Sequence, residues 1–265
     1  MPRPRTYGFD SDTLAYAARV KAGSGVTILP EPLKQLNKFV LGVKKLGLWN
    51  SMVCWPMRSI HNAGKGTVIY SLGGLGIFNG SIADITQWTS NGITLRTNTP
   101  TFTSLTYIPN NFTGTMCCVG GLFTVFNQRL IGHNINAGGW MVGTVSTNTS
   151  WFNYFDTVRS TVFYGGSIGS SNIRDFIAFS GFSRNVVGDT TVYVSNPNVI
   201  GSNYGTTTQT LTGLTTNTSS TFMNGGMNSF LIHINNNIFQ RSDYKSLETL
   251  LRNTLFSDRL FQWVY

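Results

Sequence analysis

Carboxylates and imidazoles are the side chains that most hydrolytic and metal-dependent reactions need in convergent pairs, and this chain has few of either. Its 265 residues contain ten Asp and Glu and three His. From Gly66 to Tyr265 the acids are Asp84, Asp156, Asp175, Asp189, Asp243, Glu248 and Asp258, and the histidines are His133 and His233. A retaining glycosidase needs two carboxyl groups about 5–5.5 Å apart, which on a strand means two acids a few positions from one another. No strand-like run carries such a pair. Asp10 and Asp12 are close in sequence, but they stand where a helix begins and serve its cap and dipole. His61, His133 and His233 lack a Gly-x-Ser-x-Gly turn that would present a nucleophile. His233 alternates within an apolar strand and reads as an interior or interface residue, and His61, ahead of Asn62-Ala63-Gly64, as a loop residue. No catalytic residue, metal or cofactor is expected, and the chain reads as a surface built for binding.

The cysteines add no chemistry. Cys54, Cys117 and Cys118 have no metal-ligand spacing. Neighbours in a strand face opposite sides, so at most one of Cys117 and Cys118 can approach Cys54, and free buried thiols in a reducing compartment are expected. Met1-Pro2-Arg3-Pro4-Arg5 is not followed by the apolar stretch of a signal peptide, and no run reaches the ~18 apolar residues of a membrane span. Synthesis in the cytosol follows.

Charge is scarce and unevenly placed. Charged residues make up 11% of the chain and the net charge is +9. Residues 1–65 hold ten Lys and Arg against Asp10, Asp12 and Glu31, a net of +7, and the other 200 residues hold nine against seven, a net of +2. Such asymmetry points the N-terminal part toward something acidic, a protein surface or nucleic acid. Arg3, Arg5, Lys34, Lys38 and Lys45 are the cations proposed to meet that partner, with a solvated helical face as the plain alternative. The 18 Phe, 10 Tyr and 6 Trp supply a core, while Asn, Thr and Ser must keep the surface wet.

The elements that position these residues fall into two groups. Residues 1–9 read as a basic arm. Asp10 or Ser11 caps a helix running to about Lys21 with Leu14, Ala17, Ala18 and Val20 on its apolar side, ended by Gly23-Ser24-Gly25. Pro30 and Pro32 open a second helix. In it Leu33, Leu36, Phe39, Val40, Val43 and Leu46 recur every three or four residues, with Lys34, Lys38 and Lys45 opposite them. Leu48 to Trp55 begin a short third element limited by Pro56. Beyond Lys65 short apolar runs alternate with turn pairs such as Asn79-Gly80, Asn91-Gly92 and Asn224-Gly225-Gly226. Candidate strands are 67–72, 93–95, 116–126, 140–145, 151–155, 161–164, 175–182, 190–194, 209–214 and 228–234. About ten short strands with no helix between them imply an antiparallel β-sandwich or barrel. A final helix with Ser242 at its N-cap carries Tyr244, Leu247, Leu251 and Leu255. The apolar end Leu260–Tyr265 either packs on the β region or docks a partner through Phe261, Trp263 and Tyr265. The division expected is a helical leader, 1–62, and a β domain, 63–265.

This layout resembles a known family. Asp12-Thr13-Leu14-Ala15-Tyr16 and the run from Leu33 to Trp49 resemble the helical leader of bacteriophage structural proteins, which precedes a concanavalin A-like (laminin-G-type) jelly roll. Phe230-Leu231-Ile232-His233-Ile234, followed by the helix entry Ser242-Asp243-Tyr244-Lys245-Ser246-Leu247-Glu248, is similar to that module's closing strand and helix. Gly181-Phe182-Ser183-Arg184 and Val192-Tyr193-Val194 resemble its central hairpin. The leader here is more basic than the family's. The resemblance implies a mainly β jelly roll and a virion protein made in the host cytoplasm. That protein would be a tail, fibre, spike or head-decoration subunit, homo-oligomeric, sometimes binding host surface glycan. Calcium, common in such modules, wants several oxygen ligands, and with so few acids Asp156 and Asp189 make a poor site. A sugar needs only an aromatic platform, for which Trp88, Trp140, Trp151, Tyr154 and Tyr204 are candidates, although strand aromatics are usually core. The expected function is a non-enzymatic virion subunit attached through its leader to other virion proteins. A host-glycan adhesin, or a capsid protein whose basic N-terminus faces nucleic acid, is the alternative.

Overall fold

The computed structural model describes residues 8–82, 88–90, 92–94, 103–105, 114–121, 129–133, 140–144, 150–156, 161–167, 177–184, 190–194, 203–207, 226–233 and 239–258, many strand residues by backbone alone. In chain order these form helices α1 (Ser11–Ser24) and α2 (Pro30–Lys45), a 3-10 turn (Trp49–Ser51) and the strands β1 (Met52–Pro56), β2 (Val68–Ile69), β3 (Gly80–Ile82), β4 (Trp88–Thr89) and β5 (Gly92–Thr94). There follow β6 (Thr103–Leu105), β7 (Gly114–Gly121), β8 (Arg129–His133), β9 (Trp140–Thr144), β10 (Ser150–Asp156) and β11 (Thr161–Ser167). The last are β12 (Ile177–Arg184), β13 (Thr190–Val194), β14 (Asn203–Thr207), β15 (Gly226–His233) and helix α3 (Arg241–Asn253).

Helix α1 starts where the Asp10 side chain accepts the Asp12 N–H at 3.0 Å. It stops at Gly25, whose φ of 73° is left-handed and whose N–H returns to the Lys21 carbonyl at 2.8 Å. A Cβ there would cost about 1 kcal/mol. Its buried side is Thr13, Tyr16 and Val20, with Ala17 packed against the core. Of the expected apolar side Val20 and Ala17 face inward, whereas Ala18 and Leu14, 49% exposed, do not. Tyr16 can turn inward because its hydroxyl donates to the His61 carbonyl at 2.9 Å.

Helix α2 opens on Pro30, whose missing N–H leaves no first-turn group unsatisfied, and buries Leu36, Phe39, Val40 and Val43. Each such side chain contributes about 1.5–3 kcal/mol, so packing holds the helix down far more firmly than the exposed Lys34–Glu31 pair can, a type worth about 1 kcal/mol at most. Leu46 lies past the helix end and is 40% exposed. Two flanks fix the rotation of α2. On one, the Asp10 N–H donates to Asn37 at 2.7 Å and Lys44 reaches Asp10 and Asp12. On the other, the bare Gly42 lets Leu250 of α3 approach, and Gln35 donates to the Ser257 hydroxyl at 3.2 Å.

Every pairing among the described strands is antiparallel. The largest sheet runs β14-β13-β12-β7-β15-β5-β4, a second runs β11-β10-β9-β8, and a third runs β2-β3-β6. One edge of β15 pairs with β7, and its other edge is divided: Gly226 and Met227 meet β5, while Ser229 to His233 meet β1. Strand β1 is buried on both faces. Met52 and Cys54 join the core under the helices, and Val53 and Trp55 alternate to the other side.

The helices cover one face of the large sheet. Tyr16, Phe39, Val43 and Leu251 form one core cluster with Cys117 and Val119 of β7 and Phe179 of β12. Thr115 and Ser183, on the same faces of their strands, join hydroxyls at 2.6 Å, and Ser183 bonds to Tyr244 of α3 at 2.6 Å. Residues 8–62 and the β region therefore share a core, and β1 belongs to the sheet. The cap of helix α3 is Gln240, two residues before the expected Ser242, and its N–H donates to the Asp243 carboxylate at 2.7 Å. Cys54 and Cys117 are buried and neither is in a disulfide. Both face Leu231 from opposite neighbours, which sets them two strand spacings apart, about 9–10 Å, beyond disulfide reach.

Candidate interaction surface

Lys34, Lys38 and Lys45 lie together. Positions 34, 38, 41 and 45 follow one line along a helix, which over eleven residues spans about 16 Å. The line is opposite the buried Leu36, Phe39, Val40 and Val43, so the three lysines are exposed, and Leu41 between them is 48% exposed. Glu31 lies 2.9 Å from Lys34, whose hydrogen bond and charge hold the Glu31 carboxyl below its ordinary range. Lys38 and Lys45 have no ion-pair partner among the described residues.

Lys44 behaves differently from its neighbour Lys45. One residue along a helix is a turn of about 100°, and this carries the Lys44 ammonium to α1. It lies 2.8 Å from Asp10 Oδ1 and 2.7 Å from Asp12 Oδ2, and 5.4 Å from the Trp49 ring centre. Burial works to lower the Lys44 pKa, but hydrogen bonds to the two carboxylates outweigh it and the value is raised. Burial likewise works to raise Asp10, and the Lys44 hydrogen bond overcomes it. This cation is neutralised inside the protein and takes no part in the basic face. No sequence signal links positions 34 residues apart.

Below the helices a second polar group organises the turn after β1. Arg58, 2% exposed, donates to Asp258 at 2.8 and 2.6 Å, to the Ser90 carbonyl at 2.7 Å and to the Leu255 carbonyl at 2.5 Å. It thus ties together the β1 exit, the β4–β5 turn and the segment after α3. The Arg58 hydrogen bond holds the Asp258 carboxyl below its usual range, against the effect of burial. His61 lies in the same turn, buried, its Nε2 2.6 Å from Gln35 Oε1. Burial, and then the charge of Arg58, bring its pKa down to about 3, so at neutral pH it is an uncharged structural donor. Asn62 is saturated: its amide donates to Pro56 and Tyr70 and accepts from Ala63 and Tyr70. Sequence reasoning gave Arg58 no role.

Arg3, Arg5, Phe261, Trp263 and Tyr265 lie outside the described residues, as do strand 209–214 and the side chains of Trp140, Trp151, Tyr154 and Tyr204. Trp88 spends its indole N–H on the Gly66 carbonyl at 2.9 Å. Among the described residues no three His, Cys, Asp or Glu are grouped to hold a metal ion, and no helix is long and apolar enough to cross a membrane. Comparison with protein-family models, curated proteins and solved structures finds no match for the chain.

Proposed function

We propose that the protein is a non-enzymatic structural subunit of a virion, a tail, fibre, spike or head-decoration component, and that it attaches through the lysine face of α2. The observation that carries this reading is the disposition of charge. Tyr16, Val20, Leu36, Phe39, Val40 and Val43 are spent inside the protein, Lys44 is neutralised there, and α2 presents outward Lys34, Lys38 and Lys45 around Leu41. A face held from two flanks needs little ordering on association. Its partner is an acidic patch on another virion protein. The antiparallel pairing throughout, and the β12–β13 hairpin, support reading the β region as a concanavalin A-like jelly roll that supplies the outward or inter-subunit surface of a homo-oligomer.

The test is charge reversal. Lys34→Glu, Lys38→Glu and Lys45→Glu together should abolish co-sedimentation with particles while leaving circular dichroism unchanged, and Lys21→Glu with Lys65→Glu should leave both unchanged. Incorporation that survives the triple reversal contradicts the reading. The same face would also accept a phosphate backbone. If nucleic acid is the occupant, purified protein binds DNA or RNA with a log–log salt slope of about −2 to −3 from these three lysines, and the slope vanishes in the triple variant.

A further inference from the structure

An open cleft of about 490 Å³ at the C-terminal end of α2 is lined by Asp12, Lys44, Gly47, Trp49, Asn50 and Gly74. Its tryptophan is unlike the others whose side chains are described. The buried Trp55 donates its indole N–H to the Phe78 carbonyl at 2.5 Å, as buried tryptophans ordinarily do, and the half-buried Trp88 donates to Gly66 at 2.9 Å. Trp49 is 8% exposed, and its N–H meets no acceptor among the described residues. Nor is it sealed in, since its indole nitrogen is not among the fully enclosed, unpartnered atoms of the described residues. The free donor keeps access to the cleft that Trp49 lines.

Gly74 keeps that edge of the ring open. Its N–H donates to the Trp49 carbonyl at 2.9 Å, which draws the 73–75 loop close over the indole. A Cβ on Gly74 would stand 2.7 Å from Trp49 Cδ1 and 2.8 Å from Nε1, and would cover the donor.

Charge narrows the ligand. Asp10 and Asp12 against Lys44 leave the site one charge negative, so it repels anions, and its ammonium is already committed. What remains is an indole N–H, the Asp12 carboxylate with its side chain 44% exposed, and the exposed Asn50 amide. Together these supply donors and acceptors beside an aromatic edge. Hydroxyls both donate and accept, so a ligand dense in hydroxyls and free of charge satisfies this set, and the volume suits one or two sugar rings. We propose that this cleft binds a neutral saccharide. The site is separate from the lysine face, so its failure leaves the attachment reading untouched.

The full chain, labelled with ¹⁵N, would be titrated with glucose, galactose, mannose, N-acetylglucosamine and their disaccharides, with sialyllactose and inorganic phosphate as anionic controls. The Trp49 indole resonance is identified through Trp49→Phe. At least one neutral sugar is expected to shift it saturably while the indole resonances of Trp55 and Trp88 stay in place. Gly74→Ala should weaken that sugar at least tenfold, and Asn50→Ala, at an exposed turn position that tolerates the change, by about tenfold. The proposal is overturned if no neutral sugar gives a saturable shift, if affinity is unchanged in both Trp49→Phe and Asn50→Ala, or if the anions bind more tightly than every neutral sugar.

Discussion

His61 and Arg58 make the sharpest single-residue predictions, because each is enclosed. A neutral imidazole whose folded pKa is about 3, against an ordinary 6.5, takes up its proton more readily unfolded than folded. Stability therefore falls as pH drops through 6.5 and goes on falling toward 3. The loss between pH 6.5 and 5 is at most about 2 kcal/mol. Asp258 does not confuse that window: its carboxyl is lowered, so its contribution is intact above about pH 4 and is lost only as pH falls further. Urea unfolding of His61→Gln should show a clearly flatter dependence between pH 6.5 and 5 than the parent, and an unchanged slope would remove His61 as its source. Asp258→Ala leaves the buried Arg58 charge without its carboxylate, with only the Ser90 and Leu255 carbonyls as partners. It should cost about 2–4 kcal/mol, somewhat less than a wholly buried pair because Asp258 is half in water. Glu31→Ala, at the exposed pair, should leave stability nearly unchanged. Equal losses in the two variants would mean that the Arg58 cluster does not hold the turn. None of this could be read along the chain, since Arg58 and Asp258 are 200 residues apart and a buried arginine has the same letter as a solvated one.

Helix α2 was the most readable element, because a run of sixteen residues repeats its apolar period often enough to be unambiguous. Asp10 marked the start of helix α1, which runs three residues past the expected end at Lys21, and of its expected apolar side Val20 and Ala17 face inward while Leu14 and Ala18 do not. Thr13 and Tyr16 look polar by residue type, and Tyr16 is buried only because its hydroxyl finds the His61 carbonyl. The strands divide the same way. The expected runs at 116–126, 175–182, 190–194 and 228–234 overlap β7, β12, β13 and β15. Short β3, β4 and β6, and the Gly- and polar-rich β8 and β14, have too few alternating residues to stand out from loops. Gly42 is the residue whose meaning needed a neighbour: in sequence a helix-weakening glycine, in the fold the gap that admits Leu250. Gly42→Ala gains up to about 1 kcal/mol of helix propensity but displaces Leu250. It should change stability by less than about 1 kcal/mol alone, and stabilise by about 0.5–1 kcal/mol in a Leu250→Ala background. Chemical denaturation of the double-mutant cycle checks this, and strict additivity would mean that α2 and α3 do not meet at Gly42.

For the chain as a unit, the composition change near residue 65 marks a change of secondary structure, while the core runs across it. Deleting residues 1–62 removes β1 from the edge of β15 and uncovers Cys117, Val119 and Phe179. The truncated chain is expected to aggregate or to lose its cooperative thermal transition, and a soluble, cooperatively melting fragment 63–265 would show that the β region folds alone. Attachment through the leader therefore cannot be assayed by deletion and has to be assayed by surface charge. The scarcity of carboxylates that marks the sequence has its counterpart in the fold, where Asp10, Asp12, Glu31, Asp243, Glu248 and Asp258 each have an internal partner. Lys34, Lys38 and Lys45 of α2 form a line of cations that this arrangement leaves facing outward. An image of the assembled particle at side-chain resolution tests that most directly. It should show Lys38 and Lys45 within salt-bridge distance of carboxylates on a neighbouring chain. A particle in which α2 faces open solvent, its lysines contacting no other chain, would contradict the account.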